Sequence, residues 1–101
     1  MFTVYILYSQ ILDRYYVGET LDMEERIQQH NTGYYSDSYT KQSSDWCLYF
    51  KLECESRTQA RKIESHIKKM KSRKYIQNLA KYPEISGKLL ETYRLSWVQS
   101  R

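Results

Sequence analysis

The chain opens with two short runs rich in β-branched and aromatic residues, Phe2 to Tyr8 (FTVYILY) and Tyr15 to Glu19 (YYVGE). The polar-flanked stretch Ser9 to Arg14 joins them, and two such runs this close predict an antiparallel hairpin. Strand alternation puts Thr3, Tyr5 and Leu7 on one face and Val4, Ile6 and Tyr8 on the other. In the second run Tyr16 and Gly18 share a face, opposite to Tyr15 and Val17. A glycine inside a strand marks a bulge or a place where something approaches the backbone closely.

Beyond the hairpin the period changes. Asp22, with Glu25 three residues on, forms a capping box for a first helix running to about Asn31, and Gly33 suits its end. Residues 33–45 are polar and turn-rich and read as a loop. Trp46 to Cys54 (WCLYFKLEC) predicts a third strand. Ser56 with Gln59 opens a long helix to about Lys74, in which Ala60, Ile63, Ile67 and Met70 recur at three and four as a core-facing stripe. Tyr75 to Lys81 continues as a further helical piece stopped by Pro83. After Gly87 the pattern fits either a helix or a packed extension. The order β-β-α-β-α-α predicts an α+β fold, a small three-stranded antiparallel sheet flanked by helices. With 101 residues there is room for one core, so a single domain is expected, its core over about 2–78 and a C-terminal extension over about 79–101.

Composition sharpens this picture in two ways. The longest apolar run near the start is too short for a leader or a membrane span, so a soluble cytoplasmic protein is expected. Cys47 and Cys54 sit at an odd spacing in one strand, which sends them to opposite faces and makes a bridge between them unexpected. The net charge of +4 is unevenly spread: residues 1–54 hold four Lys+Arg against eight Asp+Glu, residues 55–101 twelve against four. A basic, tyrosine-rich second half suits a nucleic-acid binder, although many basic proteins bind none.

The polar residues that share this frame form an ordered set. Val4-Tyr5-Ile6 and Tyr16-Val17-Gly18 lie on the two hairpin strands. Arg26 and His30 are four apart on one face of the first helix. Glu64 flanks the apolar stripe of the long helix. Taken singly, each has an ordinary explanation: strand aromatics, a solvated arginine, a histidine near a helix C-terminus, and a Glu64–Lys68 surface pair. Together and in this order they resemble the GIY-YIG nuclease superfamily over roughly residues 2–78. In size the chain resembles the small stand-alone members, which are similar to the N-terminal nuclease domain of the bacterial excinuclease. The two triplets read VYI and YVG, conservative variants. Where excinuclease-type members carry an asparagine after the glutamate, this chain has Ile76, with Asn78 two residues further on.

The resemblance implies phosphodiester hydrolysis with Tyr5, Tyr16, Arg26, His30 and Glu64 as catalytic residues. Glu64 is the one carboxylate the pattern supplies, and it would hold Mg²⁺ or Mn²⁺, hard ions that accept a single carboxylate plus a phosphate and keep several waters. Arg26 offers a planar, permanently charged donor set matched to phosphate. An unperturbed tyrosine titrates near 10, so only about 0.1% is ionised at neutral pH, and nearby cations favour the ionised form. The resemblance assigns Tyr5 as base with His30 as its helper; His30 itself is the alternative base.

Lys68, Lys69, Lys71, Arg73 and Lys74 follow Glu64 closely and are candidate contacts to DNA phosphates, or else a solvated helix face. Tyr34, Tyr35 and Tyr39 either stack on unpaired bases or pack their loop. The resemblance implies a DNA endonuclease, structure-selective in repair or recombination, with a protein partner supplying specificity. A non-catalytic nucleic-acid-binding module on the same scaffold is the alternative.

Overall fold

The computed structural model describes residues 2–32 and 42–94. Strands β1 (Phe2–Ser9) and β2 (Arg14–Thr20) form the expected hairpin. Helix α1 (Met23–Thr32), strand β3 (Cys47–Cys54) and helices α2 (Arg57–Met70), α3 (Arg73–Lys81) and α4 (Pro83–Thr92) follow. The sheet is antiparallel with order β2-β1-β3. The hairpin is therefore not symmetric in its surroundings: β1 is central and β2 is an edge. Tyr34, Tyr35 and Tyr39 lie outside the described residues.

The helices depart from the sequence expectation at one junction. The expected long helix over Ser56 to Lys74 is two helices, because Lys71 adopts a left-handed conformation (φ 47°) and closes α2. Ser72 then caps α3 by accepting from the Tyr75 N–H at 3.1 Å. Met70, placed in the apolar stripe by its spacing, is consequently at the end of α2 and 44% exposed. Pro83 starts a helix as well as ending one, since a missing N–H costs nothing in a first turn. Gly87 lies inside α4, which makes the order β-β-α-β-α-α-α.

The caps follow the expected residues with shifted partners. Asp22 accepts from the Glu25 N–H at 3.1 Å, while the Asp22 N–H is taken by the Thr20 hydroxyl. Ser56 accepts from the Gln59 N–H, and the Gln59 side chain reaches the Glu55 N–H and the Leu90 carbonyl. That last bond ties α4 to the start of α2.

The sheet buries both faces. On one, Val4, Ile6, Val17 and Cys54 pack against Ala60, Ile63 and Ile67 of α2 and Ile76 and Leu79 of α3. On the other, Tyr5, Leu7 and Trp46 pack against Met23 and Ile27 of α1. A bulge opposite Ile6 and Leu7 breaks the alternation of β3, so that Cys47 pairs with Tyr8 and Cys54 with Phe2. Parity is therefore not what separates the two cysteines. Both are free, at opposite ends of a strand about 23 Å long.

Two side chains fix the chain where it re-enters the sheet. Asn31 donates to the Trp46 carbonyl at 2.8 Å and accepts from the Trp46 N–H at 2.7 Å, so it is engaged by backbone rather than aimed at the site. Asp45 accepts from Ser9 Oγ at 2.5 Å, from the Ile11 N–H at 3.0 Å and from Ser43. Among the described residues no helix is long and apolar enough to cross a membrane.

Candidate active site

Cross-strand register sets the first half of the site. Tyr5 on the central strand lies opposite Gly18 on the edge strand, and Tyr16 lies diagonally, opposite Leu7. The two tyrosine rings share one face with centroids 6.3 Å apart. Gly18 is what lets Tyr5 lie as it does. A Cβ added there would stand 2.5 Å from the Tyr5 hydroxyl oxygen and 2.6 Å from Cζ. Such an approach is below any real contact distance, so the glycine serves a close passage rather than a bulge.

Helix α1 lies over the same face. Met23 and Ile27 anchor it to the core, and the four-residue spacing of Arg26 and His30 turns both toward the tyrosines. His30 is buried, and its Nε2 is 3.0 Å from the Tyr5 hydroxyl. Its ring stands edge-on to Tyr16 at 4.9 Å. Tyr5 is itself fully buried, while Tyr16 is half-buried and forms the accessible rim.

The second half comes from the opposite face of the sheet. Glu19 follows Gly18 and so points toward α2, where Arg57 and Arg61 present Nε atoms at 3.6 and 3.7 Å from its carboxylate. Glu64, one turn further along α2, is held by Lys68 at 2.8 Å. Arg57, Arg61, Glu64 and Lys68 form a stripe at four-, three- and four-residue steps, parallel to the apolar stripe that docks the helix.

These halves meet over the edge strand. One polar pocket of about 250 Å³ is lined by Tyr5, Tyr16, Gly18, Glu19, Arg26, Arg57, Arg61 and Glu64. It is smaller than an open groove of about 470 Å³ beside the hairpin turn, whose walls carry Asp13, Arg73 and Lys71. Chemistry and not size singles out the smaller pocket, because it gathers phenols, guanidinium groups and carboxylates within one space. The sequence-predicted Tyr5, Tyr16, Arg26 and Glu64 all line it, and His30 supports it from behind through Tyr5.

Three lining residues are not predicted by the sequence pattern: Glu19, Arg57 and Arg61. The polar stripe of α2 is a readable signal for the arginines. Nothing in the sequence announces Glu19, whose role depends on α2 lying along β2. The basic stretch after Glu64 behaves differently from a continuous patch. Lys68 turns back onto Glu64, Lys71 is the left-handed residue that ends α2, and Arg73 binds Asp13 at 2.7 Å at the hairpin turn. Lys69 and Lys74 are exposed. Ile76, at the place of the family's asparagine, belongs to the core.

The described residues contain no cluster of three or more His, Cys, Asp or Glu able to cage a metal ion. The donors present fit a different arrangement: a hard divalent ion on one carboxylate, completed by water and substrate phosphate. Glu64, which pairs with Lys68 at 2.8 Å, is a carboxylate able to serve in such an arrangement.

Sequence comparisons agree with this geometry. Residues 1–77 match the GIY-YIG catalytic domain family. A protein of Syntrophus aciditrophicus (strain SB) described as a UPF0213 protein is 35% identical over 69 residues, which cover 68% of this chain and 79% of that relative. No solved structure matches. A family match that spans the hairpin, α1 and the glutamate of α2, the same elements that build the pocket, leaves one assignment: the chain belongs to the GIY-YIG nuclease superfamily.

Proposed function

We propose that this protein is a DNA endonuclease that hydrolyses phosphodiester bonds with Mg²⁺ or Mn²⁺. The observation that carries the reading is the convergence of Tyr5, Tyr16, Arg26 and Glu64 on one pocket from both faces of the sheet. Arg26 binds the non-bridging oxygens of the scissile phosphate, where negative charge gathers as the attacking water adds. Tyr16, at the accessible rim, positions that water. Tyr5 takes its proton and passes its own hydroxyl proton to His30 Nε2, 3.0 Å away. The new bond is between the water oxygen and phosphorus, and the bond to the leaving oxygen breaks. A divalent ion held by Glu64 would supply charge neutralisation at the phosphate and the leaving oxygen. Lys68, which pairs with Glu64 at 2.8 Å, would pair with a substrate phosphate once Glu64 is otherwise engaged.

The pocket is small, and the residues that line it are suited to phosphate rather than to base edges, which fits cleavage directed by DNA structure or by a protein partner, as in repair or recombination. The test is cleavage of supercoiled plasmid and of branched or flapped DNA, with Mn²⁺, Mg²⁺ or EDTA, beside Glu64→Ala. Metal-dependent cleavage that disappears in Glu64→Ala is the expected result. Binding without cleavage under every metal would leave a non-catalytic binding module.

A further inference from the structure

Glu19 poses a problem for a pocket meant to receive a polyanion. It places a carboxylate, only 13% exposed, in the wall of the site, beside two guanidinium groups whose side chains are 59% and 62% exposed. The contacts are loose. Each arginine faces Glu19 with its Nε beyond 3.5 Å, not with the paired, short contacts of a bidentate bridge. The arrangement neutralises a carboxylate without saturating the two cations. Arg57 and Arg61 also stand on the same stripe of α2 as Glu64, two turns and one turn before it, so they flank the reacting phosphate along the helix axis.

We propose that Arg57 and Arg61 form a second phosphate subsite, which holds the nucleic-acid phosphate next to the one that is cut, with Glu19 as its placeholder when no nucleic acid is bound. The proposal rests on the nuclease reading above and names where the substrate backbone leaves the site. Guanidinium groups suit the task because their planar forks match phosphate oxygens, and because their charge does not depend on pH. Glu19 acts in the other direction. It offsets part of the charge of the two cations in the free protein and opposes an incoming anion at short range, where Coulomb energy is greatest. Because its contacts to the arginines are loose, its charge matters more to binding than any ordering it imposes.

The test is binding of a short labelled DNA duplex in EDTA, followed by fluorescence anisotropy over a range of salt concentrations. Folding of each variant is checked by circular dichroism, and Lys81→Gln/Lys88→Gln, at exposed positions on α3 and α4 outside the pocket, serves as the charge-matched control. The double variant Arg57→Gln/Arg61→Gln is expected to bind about tenfold more weakly, with the slope of log K against log salt reduced by about 0.9, the value for one neutralised phosphate. Glu19→Gln is expected to bind about threefold more tightly, a gain that misfolding cannot produce. If the double variant fails to fold, the single variants at these exposed positions carry the measurement. Unchanged affinity and slope in the arginine variants would overturn the subsite, and a Glu19→Gln protein that binds no tighter would overturn the placeholder role. The nuclease reading fails separately: wild type that cleaves nothing while the arginine variants lose binding leaves the subsite standing in a binding module. Cleavage that Glu64→Ala abolishes, with arginine variants that bind as wild type, leaves the nuclease and removes the subsite.

Discussion

The hairpin carries two tyrosine pairs that look alike in sequence and behave differently in space. Tyr5 and Tyr16 lie on the α1 face, Tyr8 and Tyr15 on the face covered by α2 and α3. Tyr8 and Tyr15 are direct cross-strand partners with ring centroids 4.9 Å apart, and Tyr49 closes the cluster against Tyr15 at 5.0 Å. Arg73 sits over the Tyr15 ring at 5.2 Å and binds Asp13, which also accepts from the Tyr8 hydroxyl at 2.6 Å. That bond to an anion raises the Tyr8 pKa above its ordinary value, and burial does the same to Tyr49. These phenols stay protonated and serve as packing and hydrogen-bond donors. Tyr5 instead meets the imidazole of His30, which can exchange a proton with it. What separates structural from candidate catalytic tyrosine is therefore the partner that each face supplies.

The sharpest way to break this comparison is to remove one hydroxyl from each face. Tyr5→Phe is expected to lower the metal-dependent cleavage rate by about 10²–10⁴-fold, the usual range for a positioned base. Tyr8→Phe should leave the rate near wild type and lower the melting temperature modestly. Equal losses of rate in the two variants would erase the distinction between the faces.

A smaller effect should come from the residue that makes room for Tyr5. In Gly18→Ala the new methyl collides with the Tyr5 hydroxyl and pushes it away from His30. A displacement of about 1 Å at a reacting group costs on the order of 10²-fold in rate, while the strain destabilises the fold by about 1–3 kcal/mol. Steady-state kinetics and urea unfolding separate the two. A normal rate in Gly18→Ala would mean that the Tyr5 hydroxyl is not placed for chemistry.

The smallest effect is a difference in acid response. Asp13 is held below its ordinary carboxylate value first by the Tyr8 hydroxyl and then by Arg73. Asp45 is pushed down to about 2 by the hydroxyls of Ser43 and Ser9 and by the Ile11 N–H. A carboxyl depressed in the folded state contributes stability that is fully present above its unfolded value, near 3.8, and lost as pH falls through the folded value. Stability should therefore fall between about pH 4 and pH 2, starting at the hairpin turn that these residues hold. Asp13→Asn/Asp45→Asn is expected to be less stable at neutral pH and to show a flatter acid decline in urea midpoints. An unchanged decline would place the acid-sensitive contacts elsewhere.

Much of this architecture is legible along the chain because it depends on local spacing. The hairpin, α1 and β3 follow from apolar runs and turn residues, and Asp22 and Ser56 act as caps through bonds to residues three positions on. The break between α2 and α3 is hidden, since Lys71 is not a residue that announces a left-handed conformation. The first turn after Pro83 and the helical course through Gly87 are equally obscure, because proline and glycine stop helices as readily as they are tolerated in them.

Spacing along the chain settles which side chains of one element share a face: alternation puts Tyr5 with Thr3 and Leu7 and Tyr16 with Gly18, and the helical period puts Arg26 with His30 and Arg57 with Arg61 and Glu64. The cross-strand register that lays Tyr5 beside Tyr16, and the meeting of both with the polar stripe of α2, come from the fold. The pairing order makes β2 an edge, α2 packs along that edge, and Gly18 has no side chain to wall one face from the other. Strand order and helix docking arise from contacts distant along the chain, which spacing along the chain does not record.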